Sequence, residues 1–175
     1  MFSGKSEELI RRIRRAVIAK QSVLVFKPRI DDRYSKTQVS SHGRAMIDAV
    51  LVDTAEGLFH EALEHHAKDP KPLCVIGIDE AQFLGPKLPK VCSDLADLGM
   101  RIIVSGLDQD FSGKPFEPMP EMLAIADSVT KLDAICVVCG EPATKTYRKS
   151  QGEDLVQVGG SDQYEARCRK CHQKP

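Results

Sequence analysis

The stretch Leu73-Cys-Val-Ile-Gly-Ile-Asp79-Glu80 decides the fold, because a run without polar side chains ends abruptly at two carboxylates. A short, continuous apolar run of this kind is typical of a strand that is covered on both faces. Such strands belong to parallel sheets, whose crossover helices cover both sides. We therefore predict that residues 73–78 form a buried strand of a parallel sheet, with Asp79 and Glu80 at its carboxyl end.

The elements on either side of this strand alternate between helix and strand. Apolar residues at helical spacing predict helices over residues 7–20, 54–68 and 86–98, and a short helix near Met122. Short apolar runs predict strands over residues 22–26, 49–52, 101–105 and 128–132. The polar residues 29–43 and the Gly- and Pro-rich residues 107–120 are predicted as long loops. This alternation predicts an α/β fold with a doubly wound, largely parallel sheet.

Composition and charge exclude several classes of protein. The chain has 175 residues, with 25 basic and 25 acidic side chains, and its formal net charge is zero. It lacks the basic excess of a protein that coats nucleic acid. No apolar run approaches the roughly 20 residues that span a bilayer, and the first residues carry no hydrophobic signal segment. We therefore expect a cytoplasmic protein that binds neither nucleic acid nor membranes.

The N-terminal residues Met1-Phe-Ser-Gly-Lys-Ser6 resemble the second part of the P-loop motif G-x-x-x-x-G-K-[ST], whose first glycine would lie two residues before Met1. Backbone N–H groups of such a loop bind phosphate oxygens at a helix N-terminus, a role expected here for Ser3 and Gly4. Lys5 is expected to reach the terminal phosphates of ATP, and Ser6 to bind Mg²⁺. The alternative is a chance Gly-Lys-Ser sequence ahead of a helix.

The carboxylates at the end of the buried strand fit the same chemistry. P-loop enzymes have at this position an Asp that holds Mg²⁺ through water, which predicts that role for Asp79. Glu80 is expected near this magnesium site but not as a ligand of the ion, so it is the candidate general base for an attacking hydroxyl. The alternative is an exposed acidic helix cap.

Four of the six cysteines form two C-x-x-C pairs, a spacing typical of a metal site. Four thiolates are the donor set of a closed, structural Zn²⁺ site, here Cys136, Cys139, Cys168 and Cys171. Residues 135–175 contain too little apolar material for a core of their own, so the metal is expected to stabilise them. We predict a P-loop domain over residues 1–134 and a small zinc-bound lasso domain over residues 135–175. His172 as the fourth ligand, or a redox dithiol, is the alternative.

Together these residues point to a known family, because the chain resembles the type II, zinc-containing thymidine kinases over essentially its whole length. The motifs that carry the resemblance are Met1–Ser6, Asp31-Asp-Arg-Tyr34, Ser41-His-Gly43, Asp79-Glu-Ala-Gln-Phe83, Gly106-Leu-Asp108, Phe111-x-Gly-x-Pro-Phe116, the cysteine pairs and Gly159-Gly-Ser-Asp-x-Tyr164. The resemblance implies transfer of the γ-phosphoryl group of ATP to the 5′-hydroxyl of thymidine, with deoxyuridine as a further candidate substrate. The product, thymidine monophosphate, would serve the salvage of DNA precursors.

The resemblance also implies roles for single residues. Glu80 would accept the proton of the 5′-hydroxyl, Arg33 would stabilise the charge of the transferring phosphoryl group, and Asp31 would support it. The implied apolar and aromatic walls of the nucleoside pocket are Met1, Phe83, Leu107, Phe111, Phe116 and Tyr164. The implied readers of the base are Thr146 and the backbone from Val156 to Val158. The resemblance further implies a homotetramer and feedback inhibition by thymidine triphosphate.

One departure from the family pattern concerns the N-terminus, since family members have a strand and Gly-Pro directly before this methionine. A sheet without that strand has unpaired backbone and a gap in its core, so we predict poor stability and weak ATP binding for the chain as given. A zinc-ribbon P-loop ATPase that acts on nucleic acid is the alternative function. The neutral charge disfavours it, because the one dense basic cluster, residues 11–15, falls on a helix. A catalytically inactive homologue is the third interpretation.

Overall fold

The computed structural model describes residues 1–30, 38–40, 46–149 and 163–173. The α-helices in these ranges are α1 (Lys5–Ile18), α2 (Ala55–Lys68), α3 (Leu88–Asp97), α4 (Met119–Ile125) and α5 (Arg169–His172). The strands are β1 (Ser22–Pro28), β2 (Gln38–Ser40), β3 (Met46–Asp48), β4 (Val50–Val52), β5 (Leu73–Ile78), β6 (Arg101–Val104), β7 (Ala134–Ile135), β8 (Pro142–Ala143), β9 (Lys145–Arg148) and β10 (Tyr164–Arg167). Within the described ranges, none of the helices is long and apolar enough to cross a membrane.

A parallel sheet in the order β4-β1-β5-β6 forms the centre of the protein. β1 lies beside β5 with Val23 opposite Val75 and Phe26 opposite Ile78. β6 pairs with the other edge of β5, again in parallel. Because helices cover both faces of this sheet, the predicted α/β fold is confirmed.

Successive residues of β5 point to opposite faces of the sheet and divide the core into two hydrophobic clusters. Val75 packs on the face that α1 covers, together with Ile13 of that helix. Ile76 and Ile78 pack on the other face, against buried residues of α2 and α3. Burial on both faces explains why the sequence of β5 is an uninterrupted apolar run.

Gly77 allows α1 to approach the sheet closely. A Cβ atom at this position would lie 2.9 Å from Ile13 Cδ1 and 3.3 Å from Ile13 Cγ1, closer than carbon atoms normally pack. The absence of a side chain at this position therefore sets the spacing between α1 and β5. Since α1 begins at Lys5, the same contact fixes the first turn of the helix relative to the carboxyl end of β5.

The structure differs from the sequence-based prediction in two places. Within the predicted loop over residues 29–43, β2 pairs antiparallel with β3. Residues 128–132, predicted as a strand, have no regular structure. Among the described strands β6 has no neighbour other than β5, and its edge and residues 128–132 both line a cavity of about 690 Å³. The strand prediction is wrong, because the backbone of this segment forms no ladder with the β6 edge that lines the same cavity.

Side chains anchor the segment 128–132 instead of a backbone ladder. Thr130 accepts a hydrogen bond from Arg12 of α1 at 3.1 Å. Lys131 forms an ion pair with Asp108 at 3.0 Å. These two side-chain contacts connect the segment to α1 and to the loop after β6, although it is not part of the sheet.

A third hydrophobic cluster lies in the C-terminal part of the chain. Its buried members are Ala134, Cys136, Ala143, Ala166 and Cys171. The antiparallel pairs β7–β8 and β9–β10 surround it, and Phe2 from the N-terminal loop packs against it. The boundary between domains at residues 134 and 135 stays a prediction.

Replacement of Gly77 by Ala tests the close approach of α1. We expect G77A to lower the free energy of unfolding by about 1–3 kcal/mol, the usual effect of overpacking a core. Adding Ile13→Val, which removes the Cδ1 atom nearest the new methyl group, should recover part of that loss. Urea unfolding followed by circular dichroism measures both effects.

Gly57→Ala is the matched control, because a Cβ atom at Gly57 would meet only Thr54 Oγ1 at an ordinary 3.5 Å. Gly57 lies in the first turn of α2, where alanine is expected to leave stability unchanged or to raise it by up to about 1 kcal/mol. A G77A protein as stable as the parent would contradict the proposed role of this contact.

Candidate active site

Gly4 shapes the loop that precedes α1. Its φ of 75° is left-handed, a conformation that glycine adopts without steric cost. Its carbonyl oxygen accepts a hydrogen bond from the N–H of Glu8 at 2.9 Å, which closes the first turn of the helix. Ser3 and Gly4 therefore lead directly into the N-terminus of α1, where Lys5 follows. Unpaired N–H groups and the helix dipole favour anions at such a terminus.

Asp79 connects this helix to the carboxyl ends of the strands. Its Oδ2 accepts a hydrogen bond from Ser6 Oγ at 3.0 Å, and its Oδ1 accepts one from Ser105 Oγ at 2.9 Å. Its backbone N–H donates to the Phe26 carbonyl at 3.0 Å. The residue is only 4% exposed. Ser6 and Asp79 thus offer adjacent hard oxygen atoms, the ligands that Mg²⁺ prefers.

Burial raises the pKa of Asp79 to about 6, and the negative charge of Glu80 adds to this shift. The hydrogen bonds from Ser105 and Ser6 act in the opposite direction but do not compensate. A carboxylate in this position is expensive to ionise without a cation nearby. The donor set and its electrostatics therefore fit a divalent metal ion that binds at Ser6 and Asp79.

Gln82 holds Glu80 in place. Glu80 has a left-handed backbone with a φ of 48°, a conformation uncommon outside glycine. Its Oε2 accepts a hydrogen bond from Gln82 Nε2 at 2.5 Å, while Gln82 Oε1 accepts one from the N–H of Leu107 at 3.0 Å. The buried Gln82 side chain therefore links the candidate base to the loop that follows β6.

The structure brings several of the predicted nucleoside-pocket residues into contact. The rings of Phe83 and Phe116 meet edge to face, with centroids 6.0 Å apart. The guanidinium of Arg148 lies 3.8 Å from the centroid of the Phe111 ring. Met1 lies beside Thr146, and the Met1 backbone nitrogen is 2.9 Å from Thr146 Oγ1. Aromatic surface from the loop after β6 thus meets the C-terminal hairpin β9–β10.

The cavity of about 690 Å³ beside β6 contacts only part of the predicted site. Of the predicted site residues, its walls include Met1, Ser3, Lys5, Leu107 and Thr146. The walls do not include Phe83, Phe111, Phe116 or Tyr164, although Tyr164 is buried within β10. The predicted residues Asp31, Arg33, Val156 and Val158 lie outside the described residues.

Two hairpins bring the four predicted metal ligands together. The Sγ atoms of Cys136, Cys139, Cys168 and Cys171 all lie within 4.8 Å of one another. The Cys139 and Cys168 sulfur atoms are 3.7 Å apart, close to the edge of about 3.8 Å in a tetrahedron with Zn–S bonds of about 2.3 Å. The cluster therefore fits a structural Zn²⁺ ion.

The chemistry of the thiols agrees with this geometry. Burial acts to raise the pKa of Cys136, but N–H groups of Cys168, Val138 and Cys139 outweigh it and lower this pKa to about 6. Burial and the neighbouring thiols raise the pKa of Cys171 to about 12. The adjacent His172 does not belong to the ligand group, because its Nε2 contacts the carbonyls of Phe111 and Thr146. The structure therefore favours Cys171 over His172 as the fourth ligand.

Sequence reasoning assigned no role to Ser105, Gln82 or this carbonyl contact of His172. Ser105 directly follows β6, as Asp79 directly follows β5. Because the carboxyl ends of parallel strands lie at one edge of the sheet, the sequence could have indicated that these two residues are close. The contact of Gln82 with Leu107 and those of His172 with Phe111 and Thr146 join residues that are distant in sequence. No spacing rule indicates such contacts.

Comparisons with known proteins agree on one family. A family model described as thymidine kinase matches residues 1–172. A thymidine kinase from Bdellovibrio bacteriovorus is 51% identical over the whole chain, which covers 82% of that protein. A thymidine kinase from a Rhodothermus species is 52% identical over the whole chain and is covered to 78% of its length.

Asp79→Asn tests the electrostatics of the buried carboxyl in metal-free protein. Because the pKa of Asp79 is raised above its ordinary 3.8 to about 6, the stability that its protonated form contributes is complete below about pH 4. That contribution is lost as the pH rises through about 6. D79N should therefore become more stable relative to the parent between pH 4 and pH 8, by at most about 3 kcal/mol.

Urea unfolding at several pH values in the presence of EDTA measures this difference. Asp97→Asn, at an exposed position near the end of α3, is the matched control for the loss of one carboxylate. If the difference in the free energy of unfolding between D79N and the parent did not change with pH, the raised pKa of Asp79 would be refuted.

Cys139→Ser tests the metal cluster. Loss of one of four thiolates should lower the affinity for Zn²⁺ by more than the roughly 10- to 100-fold that follows loss of an outer-sphere partner. Cys74→Ser, a cysteine outside the cluster, should leave the metal content unchanged. Elemental analysis after dialysis measures bound zinc, and equal zinc in both variants would contradict the cluster.

Proposed function

The chain belongs to the thymidine kinase family, and on that premise we propose that it transfers the γ-phosphoryl group of ATP to the 5′-hydroxyl of thymidine. The observation that supports this most directly is the meeting of Ser6, Asp79 and Glu80 at the carboxyl end of β5 and the start of α1. Phosphoryl transfer depends on positioning and on charge neutralisation more than on covalent chemistry by the protein. The arrangement supplies both.

The phosphate end of the reaction is assigned to the start of α1. Backbone N–H groups of Ser3 and Gly4 and the side chain of Lys5 would bind the phosphates of ATP. Ser6 and Asp79 would hold the accompanying Mg²⁺, with Ser105 fixing the Asp79 carboxylate. When bound, the ion supplies neutralisation of the charge on the transferring group.

Glu80 is assigned as the general base. Its carboxylate would take the proton from the 5′-hydroxyl while that oxygen attacks the γ-phosphorus and the bond to ADP breaks. The hydrogen bond from Gln82 at 2.5 Å limits the rotation of the carboxylate. A base fixed near the magnesium-binding oxygens needs little reorganisation during the reaction.

The nucleoside is assigned to the surface between the sheet and the C-terminal hairpin. Phe83, Phe116 and Phe111 offer aromatic faces for a flat pyrimidine, and Thr146 offers a hydroxyl. Met1, Leu107 and Tyr164 are assigned to the same walls. The zinc cluster is structural in this scheme, because four thiolates leave no open coordination position.

Several parts of the proposal rest on the resemblance. They are the roles of Asp31, Arg33, Val156 and Val158, the homotetramer, inhibition by thymidine triphosphate, use of deoxyuridine and a cytoplasmic location. No observation favours the alternative of a nucleic-acid ATPase.

Glu80→Gln tests the proposed reaction in the full-length, zinc-loaded protein. We expect kcat for thymidine-dependent ADP formation to fall by roughly 10²- to 10⁴-fold, the usual contribution of a general base. Binding of thymidine should change little, since the amide has the same shape as the carboxylate. A coupled ADP assay with and without thymidine measures turnover, and calorimetry measures binding.

Glu121→Gln, at an exposed position in α4, is the matched control and should retain full activity. Absence of thymidine-dependent turnover in the parent protein would overturn the proposed function. Full activity of E80Q in an active parent would overturn only the assignment of the base.

A further inference from the structure

The loop after β6 and the C-terminal hairpin are joined by polar contacts as well as by packing. Lys145 of β9 donates to Gln109 Oε1 at 2.5 Å. Arg148 at the other end of β9 lies over the Phe111 ring. Between these two contacts, the ring of His172 connects both segments at the level of their backbones.

His172 Nε2 lies 3.0 Å from the carbonyl oxygen of Phe111 and 3.2 Å from the carbonyl oxygen of Thr146. Carbonyl oxygens only accept hydrogen bonds, so Nε2 carries the proton and donates to both. Two carbonyl dipoles directed at one point repel each other unless a donor lies between them. The imidazole N–H therefore determines how closely the Phe111 and Thr146 backbones approach.

The metal cluster holds His172 in this position. His172 directly follows Cys171, and its own backbone N–H donates to the Cys168 carbonyl at 2.9 Å. Its ring also meets the Tyr147 ring edge to face, with centroids 6.3 Å apart. The short helix α5 and a neighbouring aromatic ring thus fix the direction of the N–H.

We propose that His172 is a positioning residue that sets the spacing between Phe111 and Thr146 and thereby the fit of the nucleoside between them. This inference rests on the proposed function, in which Phe111 and Thr146 belong to the thymidine pocket. His172 touches the backbones of the two pocket residues and has no part in the chemistry at Glu80. Its loss should therefore weaken the binding of thymidine and leave the binding of ATP unchanged.

His172→Phe keeps a flat ring against Tyr147 but removes the donor. We expect the KM for thymidine to rise by about three- to ten-fold, the equivalent of one lost hydrogen bond, with the KM for ATP and the zinc content unchanged. His172→Gln, whose amide donor is at a similar distance from the backbone, should recover most of the affinity. His60→Phe, at an exposed position in α2, is the matched control.

An unchanged KM for thymidine in a zinc-loaded H172F protein would overturn the proposal. A parallel rise in both KM values would also overturn it, because it would indicate a general structural role. The proposal would also be overturned if the KM for thymidine were as high in His172→Gln as in His172→Phe.

Amide hydrogen exchange without any nucleoside provides a second readout that does not depend on activity. The N–H groups of Gly113 and Phe116 are hydrogen-bonded within the loop at 3.1 Å each, and H172F should accelerate their exchange by about three- to ten-fold. Exchange in β5 should not change. Unaltered exchange in the loop would overturn the proposed positioning role of His172, whereas an inactive parent with the expected exchange pattern would overturn the proposed function.

Discussion

The packing of α1 across Gly77 is the contact on which the candidate site depends. Ile13 of α1 lies directly over the glycine, and the first residues of the same helix are Lys5 and Ser6. Because Asp79 follows Gly77 by two residues, the contact fixes both partners of the hydrogen bond between Ser6 and Asp79. A methyl group at position 77 would displace α1 and move the Ser6 hydroxyl away from the Asp79 carboxylate. Core packing and site geometry are therefore set by the same atoms.

The surroundings of Asp79 and the four-cysteine cluster each bring together groups whose negative charge a divalent cation would neutralise. Hydroxyl and peptide groups surround the buried carboxyl of Asp79, and among its described partners none is positively charged. The cluster that contains Cys136 and Cys171 crowds thiols whose pKa values are driven apart, to about 6 and about 12. In each case the protein orders its acceptors in advance at a cost in electrostatic free energy. Preordering of this kind raises the affinity for a fitting ligand, because less conformational freedom is lost on binding.

The parts of the fold that could be predicted from sequence are those specified by local pattern. The apolar run of β5 predicted a buried parallel strand, and the cysteine spacing predicted the metal cluster, because each signal lies within a few residues. The segment 128–132 has the composition of a strand but no partner, and pairing is not encoded in the segment itself. β2 and β3 have three residues each, too few for alternation to be detected. The roles of Gln82 and His172 depend on the Leu107 and Phe111 backbones, which only the folded chain brings near.

Phe2 belongs to two parts of the molecule at once. It precedes Ser3 and Gly4 in the loop at the start of α1, and it packs against the hydrophobic cluster around Cys136 and Cys171. Two ligands that order the same residue are thermodynamically linked, and the linkage is reciprocal. If a metal on the cluster and a phosphate on the loop each order Phe2, as the proposed function implies, binding of one raises the affinity for the other. Under the proposed function, the structural metal would therefore help to determine how tightly the phosphate donor binds.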